Sequence, residues 1–165
     1  MLLSKPFHIA LLFLLFLWCS TAFAWSGKVV SVNEGDMITV VKNGRHITVR
    51  LFGIDCPEKN QAFGEEAKKF TAAMTAGKTV AIEEVSRERF DRLVGIVRVD
   101  GRCINEELVR AGLAWARVKY CKKMICATWP ALEDKARQAR IGLWIAPNPI
   151  PPWEWGKGTT KNDHK

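Results

Sequence analysis

The sequence predicts an α+β domain, mainly β, in which five strands form a closed barrel and three helices complete the fold. Five short runs are rich in β-branched residues, and three other segments carry apolar residues at helical spacing. Two of the strands flank Asn43 and Gly44, a strong signal for a two-residue hairpin turn. Strands interrupted by helices, with the last helix after the barrel, are typical of the five-stranded OB fold. Other small α+β folds fit this order less well.

The predicted elements form one domain without an internal repeat. Strands are expected at residues 27–32, 37–42, 46–54, 79–85 and 93–99. The first helix spans residues 64–76 and stops at Gly77, and the last spans about residues 128–140. Between them, Asn105 is predicted to cap a short helix that stops at Gly112.

Both ends of the chain differ from this domain, which we place at residues 25–146. Residues 1–24 predict a secretory signal peptide, because an apolar run too short to span a bilayer comfortably leads to an Ala-x-Ala site ending at Ala24. An uncleaved anchor is the alternative. We expect cleavage after Ala24 and a secreted or periplasmic protein. Residues 147–165 predict an extended, proline-stiffened tail with a disordered end. Its tryptophans either dock on the domain, which we favour, or bind a partner.

The net charge indicates the kind of partner, and the cysteines indicate disulfides rather than a metal site. The formal net charge of +8 favours a polyanionic partner, either nucleic acid or an anionic membrane. In an oxidising compartment disulfides are the default for the four cysteines after residue 24. Cys121 and Cys126 are the favoured pair, Cys56 with Cys103 is also permitted, and four cysteines allow three connectivities. A zinc site is disfavoured because no C-x-x-C spacing or histidine cluster accompanies them.

The hairpin register places two acidic side chains at one end of the barrel. Pairing about the hairpin turn sets Ile38 opposite Val49 and makes one strand face continuously apolar. By the same parity Asp36, opposite Leu51, and Asp55 lie on this inward face at its open end. Two carboxylates there are costly unless a cation compensates their charge. The pattern therefore predicts a metal site.

Arg50 faces the other way in a regular strand. It can join the two carboxylates only through a bulge, a bend or the end of the strand, and Gly53 is a suitable place for one.

At this point the chain resembles the staphylococcal nuclease (thermonuclease) family. The matching motifs fall in order between about residues 27 and 144, at residues 34–36, 50–58, 63–67, 90–93, 100–101, 105–114 and 142–144. The resemblance implies an OB barrel with three helices and calcium-dependent hydrolysis of DNA and RNA. The alternative is an OB barrel that binds nucleic acid without cutting it. A third hypothesis is an envelope interaction protein that uses the tail.

The resemblance also implies the metal site. Asp36 and Asp55 resemble the carboxylate ligands, and the backbone carbonyl of Cys56 resembles a third ligand. Calcium prefers such oxygen ligands. The family commonly has Asp in place of Glu34 and Thr in place of Met37 and Cys56, so the metal preference of this chain is open.

Three further residues resemble the catalytic set. Glu58 corresponds to the general base that activates water, and Arg50 and Arg92 correspond to the pair that holds the scissile phosphate. Guanidinium groups match phosphate oxygens two at a time and stabilise charge that develops in the transition state.

Nucleic-acid contacts are expected from Arg89, Phe90 and Tyr120. Phe90 stands where the best-known member of the family has a nucleotide-contacting tyrosine, and Arg89 belongs to a charged loop beside it. A single-stranded substrate is favoured because an OB-type groove handles unpaired bases readily. We expect a monomer.

Overall fold

The computed structural model describes residues 24–88, 92–117, 119, 121 and 123–157. All but the last residue of the predicted signal peptide therefore lies outside the described residues. The same holds for Arg89, Phe90 and Tyr120, and for the end of the tail from residue 158.

The described residues form five longer strands, three two-residue strands and four α-helices. The strands are β1 Ala24–Glu34, β2 Met37–Lys42, β3 Arg45–Leu51, β4 Ile54–Asp55, β5 Thr79–Arg87, β6 Leu93–Val99, β7 Arg102–Cys103 and β8 Trp115–Ala116. The α-helices are α1 Gly64–Thr75, α2 Ile104–Arg110, α3 Trp129–Gln138 and α4 Pro152–Trp155. None of these helices is long and apolar enough to cross a membrane.

The five longer strands close into a barrel. Their order is β3-β2-β1-β5-β6, and a parallel pairing of β3 with β6 joins the two ends. β1 is longer than predicted because its first half pairs with β5 and its second half with β2. The predicted five-stranded OB-type barrel, α+β and mainly β, is confirmed. The described residues contain four helices rather than three, because the tail adds a short one.

The hairpin between β2 and β3 has the predicted register. Asn43 and Gly44 both have positive φ, 50° and 75°, as a type I′ turn requires. Ile38 pairs with Val49, and both side chains are fully buried in the core. Asp36, at the turn before β2, is thereby fixed at one end of the barrel.

Asn105 does not cap α2, so that prediction is wrong. The cap position is Cys103, and Asn105 lies inside the first turn, fully buried. Its side-chain oxygen accepts a hydrogen bond from the Val97 amide at 3.0 Å. Its amide donates to the Phe52 carbonyl at 2.8 Å. Buried backbone groups that need partners explain why this polar side chain turns inward rather than back to the helix end.

The described part of the tail packs on the domain, and its residues Pro152–Trp155 are helical rather than extended. In α4 the amides of Glu154 and Trp155 donate to the Pro151 carbonyl. Proline at the start of this helix is tolerated because the first amides of a helix lack intrahelical partners. The Trp153 ring meets the Trp115 ring edge-on, with 6.1 Å between centroids. The tail therefore lies beside β8.

Candidate active site

Arg50 joins the two predicted metal ligands. Its Nη2 atom lies 2.5 Å from Asp55 Oδ1 and 3.4 Å from Asp36 Oδ2. β3 ends one residue later, and the chain turns at Phe52 and Gly53, where Gly53 has a φ of 73°. The expected bend is therefore present. It brings Asp55 back to the side chain of Arg50, which explains how a residue of the opposite strand face reaches the carboxylates.

Asp36 is the most buried member of the group. Only 4% of it is exposed, and its side-chain oxygen Oδ2 accepts a hydrogen bond from the Cys56 amide at 3.4 Å. Burial raises the pKa of Asp36 to about 7, against the opposing effect of the Arg50 charge. A buried carboxyl with so few donors gains from any additional cation. This contact is made by the Cys56 amide, and the role of the Cys56 carbonyl as a metal ligand stays a prediction.

The donor set fits a hard divalent cation in part. One oxygen of Asp36 and one of Asp55 both contact Arg50 Nη2, so the two carboxylates lie close together, and carboxylate oxygens are the ligands that calcium prefers. Within the described residues, no group of three or more His, Cys, Asp or Glu side chains could hold a metal ion. A metal ion held by these two carboxylates would need further ligands from backbone carbonyls, water or substrate.

Glu58 belongs electrostatically to the same end of the barrel. Partial burial raises its pKa, the charges of Glu34 and Asp55 raise it further, and Arg50 lowers it. Its backbone is held by Gln61, whose side-chain oxygen accepts from the Glu58 amide at 3.0 Å. The main-chain amide of Gln61 donates to the Glu58 carbonyl at 2.9 Å. Glu58 is thus a mostly exposed residue whose backbone is held on a fixed turn.

Arg92 reaches the site only indirectly. Its guanidinium pairs with Glu88, with Nε 2.8 Å from Oε2. Glu88 lines a cavity of about 310 Å³ together with Arg50 and Asp55. The structure therefore places Arg92 behind a wall residue of the cavity rather than on the two carboxylates.

Sequence reasoning missed two residues at this site. Arg117 lines the same cavity, with Nη1 3.4 Å from Asp55 Oδ2. Gln61 holds the Glu58 turn and donates through its side-chain amide to the Ile150 carbonyl in the tail. Neither residue stands in a local motif that would reveal it. Both act through contacts that only the folded chain creates.

The cysteines divide into a bonded pair and two buried thiols. Cys121 and Cys126 are joined in a disulfide, with their Cα atoms 6.1 Å apart. Cys56 and Cys103 are free, so the permitted Cys56–Cys103 bond is not formed. A Cβ atom placed on Gly53 would lie 3.3 Å from Cys121 Cβ and 3.4 Å from Cys126 Sγ. The disulfide therefore packs against the turn between Arg50 and Asp55.

Known proteins are similar to this chain in sequence. Residues 48–146 match the sequence model of the family described as staphylococcal nuclease homologue. An uncharacterized endonuclease of Escherichia coli O157:H7 is 36% identical over 149 residues, which cover 90% of this chain and 95% of that protein. The chain belongs to the staphylococcal nuclease family.

Other relatives in the family carry nuclease names. Micrococcal nuclease of Shigella flexneri is 36% identical over 148 residues, covering 82% of this chain and 84% of that protein. An uncharacterized endonuclease of Haemophilus influenzae is 36% identical over 129 residues, covering 78% and 71%. The predicted resemblance is confirmed. The family match begins within β3, so it includes Arg50, Asp55, Glu58 and Arg92, whereas Asp36 lies before it.

Proposed function

We propose that the protein is an exported, metal-dependent endonuclease that hydrolyses phosphodiester bonds of DNA or RNA. The observation that carries the proposal is the position of Arg50, between two carboxylates and on the wall of an open cavity. This group combines anionic oxygens for a metal ion with a guanidinium for a phosphate. The nuclease names of the full-length relatives support the same reaction.

Asp36, Asp55 and the backbone carbonyl of Cys56 would hold the metal ion, which we propose is Ca²⁺. A bound divalent ion supplies polarisation of a phosphoryl oxygen and orientation of water. Asp36 must lose its proton to act as a ligand, and its raised pKa makes this ionisation incomplete in acid.

Glu58 would accept a proton from the attacking water through its carboxylate. The water oxygen then attacks phosphorus, the bond from phosphorus to the leaving oxygen breaks, and the leaving oxygen takes up a proton from solvent. The raised pKa of Glu58 makes it a stronger base than an ordinary surface glutamate. Gln61 fixes the turn from which it acts.

Arg50 and Arg92 would donate hydrogen bonds to the phosphate oxygens and stabilise the charge that builds up on them. Arg50 already lines the cavity, whereas Arg92 must exchange its carboxylate partner Glu88 for the phosphate. A phosphate competes well for this arginine because the Arg92–Glu88 pair is partly exposed, and exposed pairs are worth little.

The proposal has four further parts. The substrate is single-stranded, and the enzyme is a monomer. The signal peptide is cleaved, and the Cys121–Cys126 disulfide forms after export. Unpaired bases suit an OB-type groove. A disulfide is compatible with an oxidising compartment.

Cleavage of a labelled single-stranded oligonucleotide tests the proposed function. The protein from residue 25 should cut it in Ca²⁺ and not in chelator. Glu58→Gln should lower turnover by about 10²- to 10⁴-fold, the usual contribution of a general base. Glu65→Gln is the matched control, because Glu65 is an exposed glutamate in the first turn of α1. Strand binding without cleavage in Ca²⁺, Mn²⁺ or Mg²⁺ would contradict the proposal and assign a binding module.

A further inference from the structure

Arg117 is the third arginine tied to this site, after Arg50 and Arg92. It lines the cavity and its guanidinium contacts Asp55 Oδ2, whereas Arg50 contacts the other oxygen, Oδ1, of the same carboxylate. The pairing of β4 with β8 sets Ile54 against Ala116, and the Arg117 amide donates to the Gly53 carbonyl at 2.8 Å. The backbone of Arg117 is therefore fixed beside the turn that forms the site.

The tail holds the side chain of Arg117. Its guanidinium carbon lies 4.0 Å from the centroid of the Trp153 ring, in a cation–π contact. The Trp153 ring itself packs against the Trp115 ring in a T-shaped contact. Arginine stacks well on tryptophan, and stacking uses the face of the guanidinium plane, whereas hydrogen bonds to a phosphate use its edge. An arginine held in this way is ordered before a ligand arrives.

We propose that Arg117 binds a phosphate of the nucleic-acid strand next to the phosphate held by Arg50, and that Trp153 positions it. The inference rests on the proposed function. A carboxylate and a phosphodiester present similar oxygen pairs to a guanidinium, so a pocket in which two arginines flank Asp55 is also suited to phosphate oxygens. The C-terminal tail is then part of the substrate-binding surface.

The test is strand binding measured across a salt series, in a background that cannot cut. A labelled single strand is titrated in Ca²⁺ with the Glu58→Gln protein, with and without Arg117→Ala. Losing one charged hydrogen-bonding group should weaken binding by about tenfold. The slope of log K against log salt should also fall by about 0.7, the value for one phosphate contact on a single strand. Arg117→Lys should keep most of the salt slope, because it keeps the charge.

Trp153→Ala and Trp155→Ala form a matched pair, since both residues are 39% exposed and stand two positions apart in α4. Trp153→Ala should weaken strand binding, and Trp155→Ala should leave binding and its salt slope unchanged. Equal effects of the two changes would contradict a positioning role for Trp153.

A purely structural role for Arg117 gives a different result. If Arg117 only holds Asp55 in place, Arg117→Ala should lower Ca²⁺ affinity and leave the salt slope unchanged, which would overturn the proposal. If Arg117→Ala does not fold, an unchanged salt slope in Arg117→Gln, together with unchanged binding in Trp153→Ala, would overturn it equally. Cleavage by the protein with intact Glu58 is measured in parallel. Its absence would refute the nuclease function, while the salt slopes would still report on Arg117.

Discussion

Asn105 donates its side-chain amide to the Phe52 carbonyl, 2.8 Å away, and so fastens α2 to the turn that separates Arg50 from Asp55. The same side chain accepts from the Val97 amide on β6. One buried amide thereby joins a helix, a barrel strand and the corner of the candidate active site.

Asn105→Ala should lower the free energy of unfolding by about 3 kcal/mol, because it leaves the Val97 amide and the Phe52 carbonyl without this partner. Asn105→Asp should not recover the loss at neutral pH, since it buries a carboxylate against the Phe52 and Gly95 carbonyls. Urea denaturation measures both. A loss below about 0.5 kcal/mol for Asn105→Ala would contradict the role assigned to this side chain.

The position of Asn105 also shows a limit of prediction from the sequence. Asparagine ahead of two glutamates and an apolar helix is the local pattern of a cap, and local chemistry cannot show that backbone groups far along the chain compete for the same side chain. The hairpin register, by contrast, depends on two turn residues and strand alternation, so the pairing of Ile38 with Val49 was predictable.

The site divides in the same way. The family resemblance assigned Arg50 and Asp55 to one site although strand parity separated them, and the turn at Gly53 brings them into contact. Arg117 was not predictable, because its link to Asp55 spans 62 residues and its stacking partner Trp153 comes from the tail. Contacts of this kind follow from the closed barrel and the docked tail rather than from any local pattern.

The substitution Gly64→Ala tests whether catalysis depends on the position of the Glu58 turn. A Cβ atom on Gly64 would lie 2.1 Å from the Glu58 carbonyl oxygen, so Gly64→Ala must move the turn that carries the proposed base. We expect turnover to fall at least tenfold, because small misplacements of catalytic groups are costly. Gly156→Ala is the control, since a Cβ there would meet no heavy atom within 4 Å. Comparable turnover of the two variants would show that the position of Glu58 is not critical.

Asp36 predicts a pH dependence of stability in the metal-free protein. Its folded pKa of about 7 exceeds the ordinary value of 3.8, so between these pH values the folded protein holds a proton that the unfolded chain has released. This contribution to stability is fully present below about pH 4 and is lost as the pH rises through about 7.

Urea denaturation in chelator, from about pH 5 to 8, compares the parent protein with Asp36→Asn, which cannot ionise. The stability of Asp36→Asn relative to the parent protein should increase with pH across this window. A difference that stays constant, or that decreases with pH, would show that Asp36 is not a buried acid with a raised pKa.

The disulfide should stabilise the turn at Gly53, against which it packs. Replacing Cys121 and Cys126 together by alanine should cost about 2 kcal/mol, as expected for a short loop. Thermal denaturation with and without a reductant gives the same comparison in the unmodified protein. An unchanged melting temperature in both experiments would mean that the bond does not form in solution.

The most direct test of the central claim joins metal binding to catalysis. Calorimetric titration with Ca²⁺ and the rate of oligonucleotide cleavage are measured on the same samples of the parent protein, Asp36→Asn and Asp55→Asn. Asp100→Asn, at an exposed turn, serves as the control. We predict one binding transition whose midpoint coincides with that of cleavage in the parent protein and the control, and the loss of both in the two site variants. Cleavage in chelator, or calcium binding that survives in both Asp36→Asn and Asp55→Asn, would contradict the account.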